Sequence, residues 1–466
     1  MEHDDGPSHP HPYRAGVSFY ADLPWLLPAI GVGLGLIMLM ITSPRAWLAI
    51  SLFVLPWFVT DTGKGISVSE AIVGGMFTTS ILLWLIRRLT LDPRPLVKNW
   101  TDFLLLFFIA AAAVNVVVAK LNHVELSGWA VDWSYFLLML YCFPLREEFG
   151  KNLTTFRQFL VLTGISSILM SAYSSYIFRQ KMAENMVYAY QIFASRSMLL
   201  GPVFLLAICF GVVMYFHAAT KKGKLFSIIV VLANLVALGL TFTRTLWVFV
   251  FICLAIAMAF LRWQQNVRIV VTATVLLVSV FSIAYSINPK ITGIAVKLVK
   301  HRFETSTQLS GGDRSFETRV IEVGNAWRRA RQAPLGGNGL RATFVTWAPI
   351  EQWHNVTAFV HIGYVGLIHK LGIPTALILF LVLVGTTFKS FWTAIRARDG
   401  TAPPMVRAAA ISAFCFMPAI YVNIFMAGFF DQRYGNFIFA FVFATVAMTE
   451  QLLRQARVNT ASHLQQ

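Results

Sequence analysis

Residues 372–390 read GIPTALILFLVLVGTTFKS. A single charge, Lys389, stands near the end of a stretch with the roughly 20-residue length of a helix that crosses a bilayer. Toward the C-terminus, further apolar blocks fall at 407–428 and 435–453. Toward the N-terminus they fall at 24–41, 46–60, 69–87, 102–119, 129–145, 158–178, 199–218, 225–242, 244–261 and 268–287. Of the 466 residues, 57% are hydrophobic, 14% aromatic and 13% charged, where a soluble domain carries about 25% charge. Such a composition builds neither a soluble surface nor a solvated coil, which excludes a cytosolic enzyme and a disordered chain. The sequence predicts an all-α polytopic membrane protein.

The formal charge of +17 sits in the connections between these blocks, so its expected partners are anionic membrane lipids, and no nucleic acid is expected. Short basic connectors at Arg87–Lys98, Arg146–Arg157, Lys221–Lys224, Arg262–Arg268 and Lys389–Arg407 recur after every second span. Lys and Arg are retained in short cytoplasmic loops, so these connectors lie inside. About twelve transmembrane helices with both ends inside follow. The blocks at 24–41 and 46–60 are short and joined by TSPRA, so thirteen spans with the N-terminus outside is the alternative.

Residues 1–22 open with MEHDDGPSHPHPYR, which lacks the basic start and cleavage site of a signal peptide and reads as a retained disordered tail. His3, His9 and His11 belong to that solvated tail. Residues 23–287 form the first transmembrane part, 288–371 an outer domain, 372–453 the last transmembrane helices, and 454–466 a cytoplasmic tail carrying Arg454 and Arg457. Cys142, Cys209, Cys253 and Cys415 all lie inside apolar blocks, with no CxxC or Cys/His spacing to suggest a metal or a disulfide framework.

The connection 288–371 breaks the pattern. It holds no apolar span, and loops of this length are functional or disordered. Within it SFETRVIEVGNAWRRA sets Phe316, Val320, Val323 and Trp327 at helical spacing, and PLGGNGL supplies the turn that ends the helix. The stretch 343–374, TFVTWAPIEQWHNVTAFVHIGYVGLIHKLGIP, reads as an amphipathic or half-buried helix in the outer interface. On such a helix His354 and His361 lie two turns apart on one face.

Polar groups at membrane depth are costly and mark function. Arg244, in LTFTRTLWVF, sits at a tight outer turn, and Arg196, in FASRSMLLGP, opens a span at the same outer level. A lone arginine there snorkels to head groups. Two of them face a loop with Arg302, Arg314, Arg319, Arg328, Arg329, Arg331 and Arg341, which points instead to an anion site, since arginine binds phosphate bidentately. The outer histidines are His123, His301, His354, His361 and His369, and histidine is the usual base for a hydroxyl proton near neutral pH. No DxD, HExxH, GxxxxGK[ST] or GxSxG motif occurs, and no chain of carboxylates runs through the spans as a proton-coupled carrier needs.

Two motifs make the chain resemble the O-antigen ligase family, which also holds O-antigen polymerases and protein O-oligosaccharyltransferases. One is Arg-x3-Leu, here Arg196-Ser-Met-Leu-Leu200. The other is His-[Asn/Ser/Gln]-x9-Gly-x2-[Gly/Thr/Tyr], whose spacing His361 satisfies with Gly372 and Thr375, although Ile362 replaces the polar second residue. His354 has the dipeptide, with Asn355, but Val365 stands where the glycine belongs. The stretch ETRVIEVGNAWRRARQAPLGGNGL is similar to the family's Arg…Trp…Pro-Leu-Gly-x-Gly pattern and points to Arg319.

The resemblance implies a GT-C-like membrane glycosyltransferase in the bacterial inner membrane with its site facing the periplasm. Its donor would be O-antigen on undecaprenyl diphosphate, and its acceptor a lipid A-core hydroxyl. Arg196, Arg244 and Arg319 would hold the diphosphate, and His361, or else His354, would act as base. No metal and no cofactor are implied. A polymerase or a protein O-oligosaccharyltransferase would use the same donor, and the many outer arginines suit a phosphorylated acceptor better than a polypeptide. From another class, a lipid-linked glycan flippase or other transporter would line its full depth with basic residues and would not need His361.

Overall fold

The structure is a computed structural model that describes residues 34–35, 38–39, 42–58, 68–91, 95–185, 201–287, 293, 296–297, 300, 314–348, 353–398 and 402–464. The apolar blocks from residue 46 onward are helical where described, because in hydrocarbon a segment must satisfy its own backbone groups. Block 102–119 is split at Asn115, and 129–145 is divided between two α-helices and a 3-10 turn. The block 24–41 lies almost wholly outside the described residues.

The helices, in chain order, are α1 (Pro44–Phe58), α2 (Val68–Leu91), α3 (Trp100–Val114), α4 (Val116–Leu121), α5 (Leu126–Leu137), α6 (Cys142–Phe149) and α7 (Leu153–Asn185). They continue with α8 (Gly201–His217), α9 (Lys221–Leu240), α10 (Arg244–Phe260), α11 (Trp263–Ile287) and α12 (Arg314–Gln332). After a hairpin come α13 (Gly363–Arg398), α14 (Pro404–Ala427) and α15 (Arg433–Leu464), the last running on through Arg454 and Arg457. Among the described residues, 6 helices are long and apolar enough to cross a membrane, with α3 and α4 counted as one. The expected count of about twelve rests on shorter or less apolar segments as well.

Three helices make the inner framework. α8 lies against α9 and α14, α13 against α14 and α3, and α15 is buried along most of its length. At one end, Arg146 donates to both oxygens of Asp102 at 3.0 and 2.9 Å, and Asn99 caps α3 by accepting the Asp102 N–H. Lys389, on α13, donates to Thr101 at that same end. Residues 314–348 and 353–362 therefore sit at the opposite end, where α13 begins.

The expectation of a helix over 343–374 is corrected. Phe344–Ala348 and Trp353–Thr357 are antiparallel strands, β1 and β2, with Phe344 opposite Thr357 and Trp347 opposite His354. The reason is a period of two in β-branched and aromatic residues: Ala342, Phe344 and Thr346 are buried while Thr343, Val345 and Trp347 are exposed. Helix resumes only at Gly363, so among the described residues this two-stranded hairpin is a local exception in a chain that is otherwise helical, as an all-α membrane protein is. α12 forms where expected, and of the apolar residues spaced along it Val323 packs into a small core. Glu322, Ala326 and Ala330 are buried, whereas Val320 and Trp327 are exposed. Ala326 packs with Phe344 and Val360 in a small core that ties α12 to the hairpin.

α13 is broken at Gly372, whose φ of 78° only glycine adopts freely. A Cβ there would collide with the backbone oxygen of Leu335. The carbonyls freed by the break are taken up by the loop after α12. Asn338 N–H donates to His369 O at 2.8 Å, and Gly339 N–H donates to Lys370 O at 3.0 Å. In return Ile373 N–H donates to Pro334 O at 2.8 Å. The Asn115 side chain, between α3 and α4, donates to Gly336 O at 3.0 Å and accepts from Leu340 N–H at 2.9 Å.

A Gly372→Ala variant, measured by thermal unfolding of the detergent-solubilised protein, is expected to lose stability. The left-handed backbone alone costs about 1–3 kcal/mol. The collision with Leu335 adds to it. A wild-type melting curve would contradict this account of the break.

Candidate functional site

The small core of Ala326, Phe344 and Val360 delivers His361 and Glu322 to each other. Glu322 lies on the buried face of α12, one turn after Arg319, and His361 follows the hairpin directly before α13. The Glu322 carboxylate is nearly buried, 5% exposed, while the His361 side chain is 37% exposed. Glu322 Oε1 accepts the His361 backbone N–H at 2.6 Å, and Oε2 bonds His361 Nδ1 at 2.7 Å. An ionised carboxylate only accepts, so Nδ1 carries the proton and donates it into this bond. The lone pair of the neutral ring is then on Nε2, on the far side from Glu322.

Other contacts hold the histidine from behind. The His361 carbonyl accepts from Gly428 N–H at 2.8 Å, and the Phe359 ring meets the imidazole edge to face at 4.9 Å. Gly428 ends α14 with a φ of 57°, and a Cβ on it would meet Phe359 at 2.9 Å. Backbone, ring and neighbours thus fix the imidazole with one nitrogen committed and the other left for chemistry.

A second polar group lies beside this one. Lys370, near the Gly372 break, donates to Asp132 Oδ2 at 3.1 Å and to Asp431 Oδ1 at 2.9 Å. Asp132 also accepts the Arg341 N–H at 3.1 Å and Arg341 Nη1 at 3.2 Å. Burial pushes the Asp431 carboxyl above its ordinary value, and the ammonium of Lys370 pulls against that. Asp431 N–H donates to Gly428 O at 2.9 Å, so the charged group reaches the glycine that holds His361.

Arg319 is half-buried on the same face of α12, and its Nε is buried without a hydrogen-bond partner among the described residues. A buried guanidinium nitrogen left unbonded is costly unless a ligand meets it. Arg244 is the first residue of α10. Leu246 touches Gly201 at the start of α8, while Val213, Ala257 and Ala408 cluster at the other ends of α8, α10 and the start of α14. The backbone of Arg244 is therefore at the end of the bundle that carries Gly428. Arg196 and His301 lie outside the described residues.

The expectation that His354 shares a helical face with His361 is corrected. His354 is exposed on β2 with its ring against Trp347 at 5.1 Å, because the segment pairs as strands. His369 is wholly buried and committed: it accepts from Asn338 Nδ2 at 3.2 Å through Nδ1 and contacts Ala342 O at 3.3 Å through Nε2. Sequence reasoning missed Glu322, Lys370 and Asp431. The signal for Glu322 was its place three residues after Arg319 on a helix otherwise rich in arginine. Among the described residues no group of three His, Cys, Asp or Glu is placed to hold a metal ion.

A family described as O-antigen ligase matches residues 228–381, a span that holds Arg244, Arg319, Glu322 and His361. This match supports the assignment of the chain to that family. No protein of curated function matches the chain.

Glu322→Ala leaves the His361 N–H and ring without their acceptor, and thermal unfolding is expected to register a loss of about 1–3 kcal/mol. Glu322→Gln, which keeps an acceptor oxygen, is expected to lose less. Equal melting of all three proteins would mean that the clamp does not hold this junction together.

Proposed function

We propose, taking the chain as a member of the O-antigen ligase family as the match over residues 228–381 supports, that it transfers a polysaccharide from undecaprenyl diphosphate to a hydroxyl of the lipid A-core on the periplasmic face of the inner membrane. The observation that carries this reading is the clamp of Glu322 on His361, which leaves one basic nitrogen on a partly exposed ring.

In the reaction the acceptor oxygen attacks the anomeric carbon of the donor, and the bond from that carbon to the diphosphate oxygen breaks with its electron pair. His361 Nε2 takes the hydroxyl proton, and Glu322 stabilises the imidazolium that forms, as a carboxylate does for a catalytic histidine. The leaving group is already a diphosphate, so it needs compensating charge more than a proton. Arg319 supplies that charge through the guanidinium whose Nε has no hydrogen-bond partner among the described residues, with Arg244 and Arg196 as the further candidates. His354, held on the hairpin against Trp347, has no part in this scheme.

The test is a gel profile of lipopolysaccharide from ligase-deficient cells expressing the protein at matched levels. Wild type is expected to restore a long-chain ladder. His361→Ala should lose about 10²–10⁴-fold of the transfer. Arg319→Gln should lose about 10²–10³-fold. His354→Ala should stay near wild type. A normal ladder from His361→Ala with none from His354→Ala would overturn the assignment of the base. If the protein instead makes a polymerase-deficient strain add many repeats, the acceptor is a second lipid-linked glycan.

A further inference from the structure

Beside the histidine, on the same end of the bundle, lies a cleft of about 660 Å³ whose wall includes His123, Glu125, Arg329, Asn338, Arg341 and Arg433. Its lining holds three arginines and one carboxylate, Glu125. Arg329 is on α12, seven residues beyond Glu322, which on a helix is about 10 Å further along. Its guanidinium donates to Thr343 O. Arg433, which opens α15, lays its guanidinium over the Tyr135 ring at 5.3 Å. The three arginines thus come from α12, from the loop that caps the Gly372 break, and from α15.

The cleft is built rather than incidental. Arg341 is held by Asp132 through both its backbone N–H and Nη1, yet 53% of its side chain stays exposed. A guanidinium has five N–H donors, so most remain for a ligand. Gly128 makes room for this side chain, since a Cβ there would meet Arg341 Cγ at 2.9 Å. Among the described residues three non-glycines have positive φ, and two of them, His123 at 57° and Arg341 at 65°, line this cleft. Backbone held in that region concentrates at ligand sites.

We infer that this cleft binds a phosphate monoester carried by the acceptor glycolipid, separately from the diphosphate of the donor. Three forked cations around one opening suit a group with about two negative charges and three acceptor oxygens better than a carboxylate with two. The inference rests on the reading of the acceptor as a lipid A-core. It deepens that reading by making acceptor phosphate the feature that is recognised. Occupancy also has a route to the base: Arg341 shares Asp132 with Lys370, Lys370 shares Asp431, and Asp431 binds the Gly428 segment that holds His361.

The experiment is equilibrium binding of radiolabelled lipid A-core, native or phosphatase-treated, to the purified full-length protein in detergent. Wild type is expected to bind the native glycolipid about tenfold or more tightly than the treated one, a gap that salt narrows. His361→Ala should keep that ratio. The double variant Arg329→Gln/Arg433→Gln should bring native binding down to the treated level, while Arg329→Lys/Arg433→Lys, which keeps the charge, should hold part of the gap. An unchanged ratio in the glutamine variant overturns the inference. So does displacement of the native glycolipid by phosphatidylglycerol vesicles at equal phosphate, which would assign the cleft to a phospholipid headgroup. Binding is read without turnover. A protein that keeps the ratio but transfers nothing counts against the proposed reaction, and one that transfers with a flat ratio counts against the cleft alone.

Discussion

A helix interrupted inside a membrane protein frees carbonyl and amide groups that hydrocarbon cannot satisfy, and each one left unpaired costs several kcal/mol. At Gly372 this debt is met by a single loop. Pro334 to Leu340 donates to His369 O and Lys370 O, accepts from Ile373 N–H, and is itself pinned by the Asn115 side chain. The exchange requires a glycine at the break and glycines in the loop: Gly337, Gly339 and Gly372 all have positive φ, and a Cβ on Gly339 would meet Ala119 at 2.6 Å. Everything at that end of the bundle follows from it. The loop fixes the end of α12, α12 carries Glu322, and the hairpin that closes on α12 returns the chain at His361.

The ionic group around Lys370 stands immediately behind that break. An isolated ammonium as buried as this one would be driven to lose its charge, and two buried carboxylates without a cation would be worse. Asp132 from α5, Asp431 from the turn before α15, and Arg341 from the capping loop balance it. Removing one partner of such a group typically costs 3–5 kcal/mol, because the remaining charge stays buried. The arrangement therefore locks four separate segments into one geometry, including Gly428, which bonds the His361 carbonyl. Precision at the imidazole comes from buried charge and backbone pairing, while the ring itself remains partly exposed.

Much of this was legible from the chain. Apolar blocks became helices, since long uninterrupted hydrophobicity admits few other structures. The turn in PLGGNGL and the peculiarity of the Gly-x-x-Thr step after His361 were visible as glycine positions, though not as partners of each other. The failures have equally specific causes. The stretch 343–374 mixes aromatic and β-branched residues that fit either an interfacial helix or a hairpin, and the period of two over Ala342 to Trp347 decides it only once α12 offers Ala326 and Val323 to pack against. Of the apolar residues spaced along α12, Val323 packs inward while Val320 and Trp327 are exposed, because the buried face also carries a carboxylate whose partner lies on another segment.

Composition and motif spacing by themselves determined the membrane setting, the helical architecture, the place of the outer segment in the order of elements, and the choice of His361 and Arg319 as residues to examine. Those properties depend on local runs of residues, and local runs survive in one dimension. Only the tertiary structure decided that Glu322 holds His361, that Asp132, Lys370, Asp431 and Arg341 form one charged group, and that Arg329, Arg341 and Arg433 share a cleft. Each of these joins residues from separate segments of the chain. A carboxylate, an ammonium or a guanidinium carries no mark in the sequence of which distant partner will balance it once water is excluded.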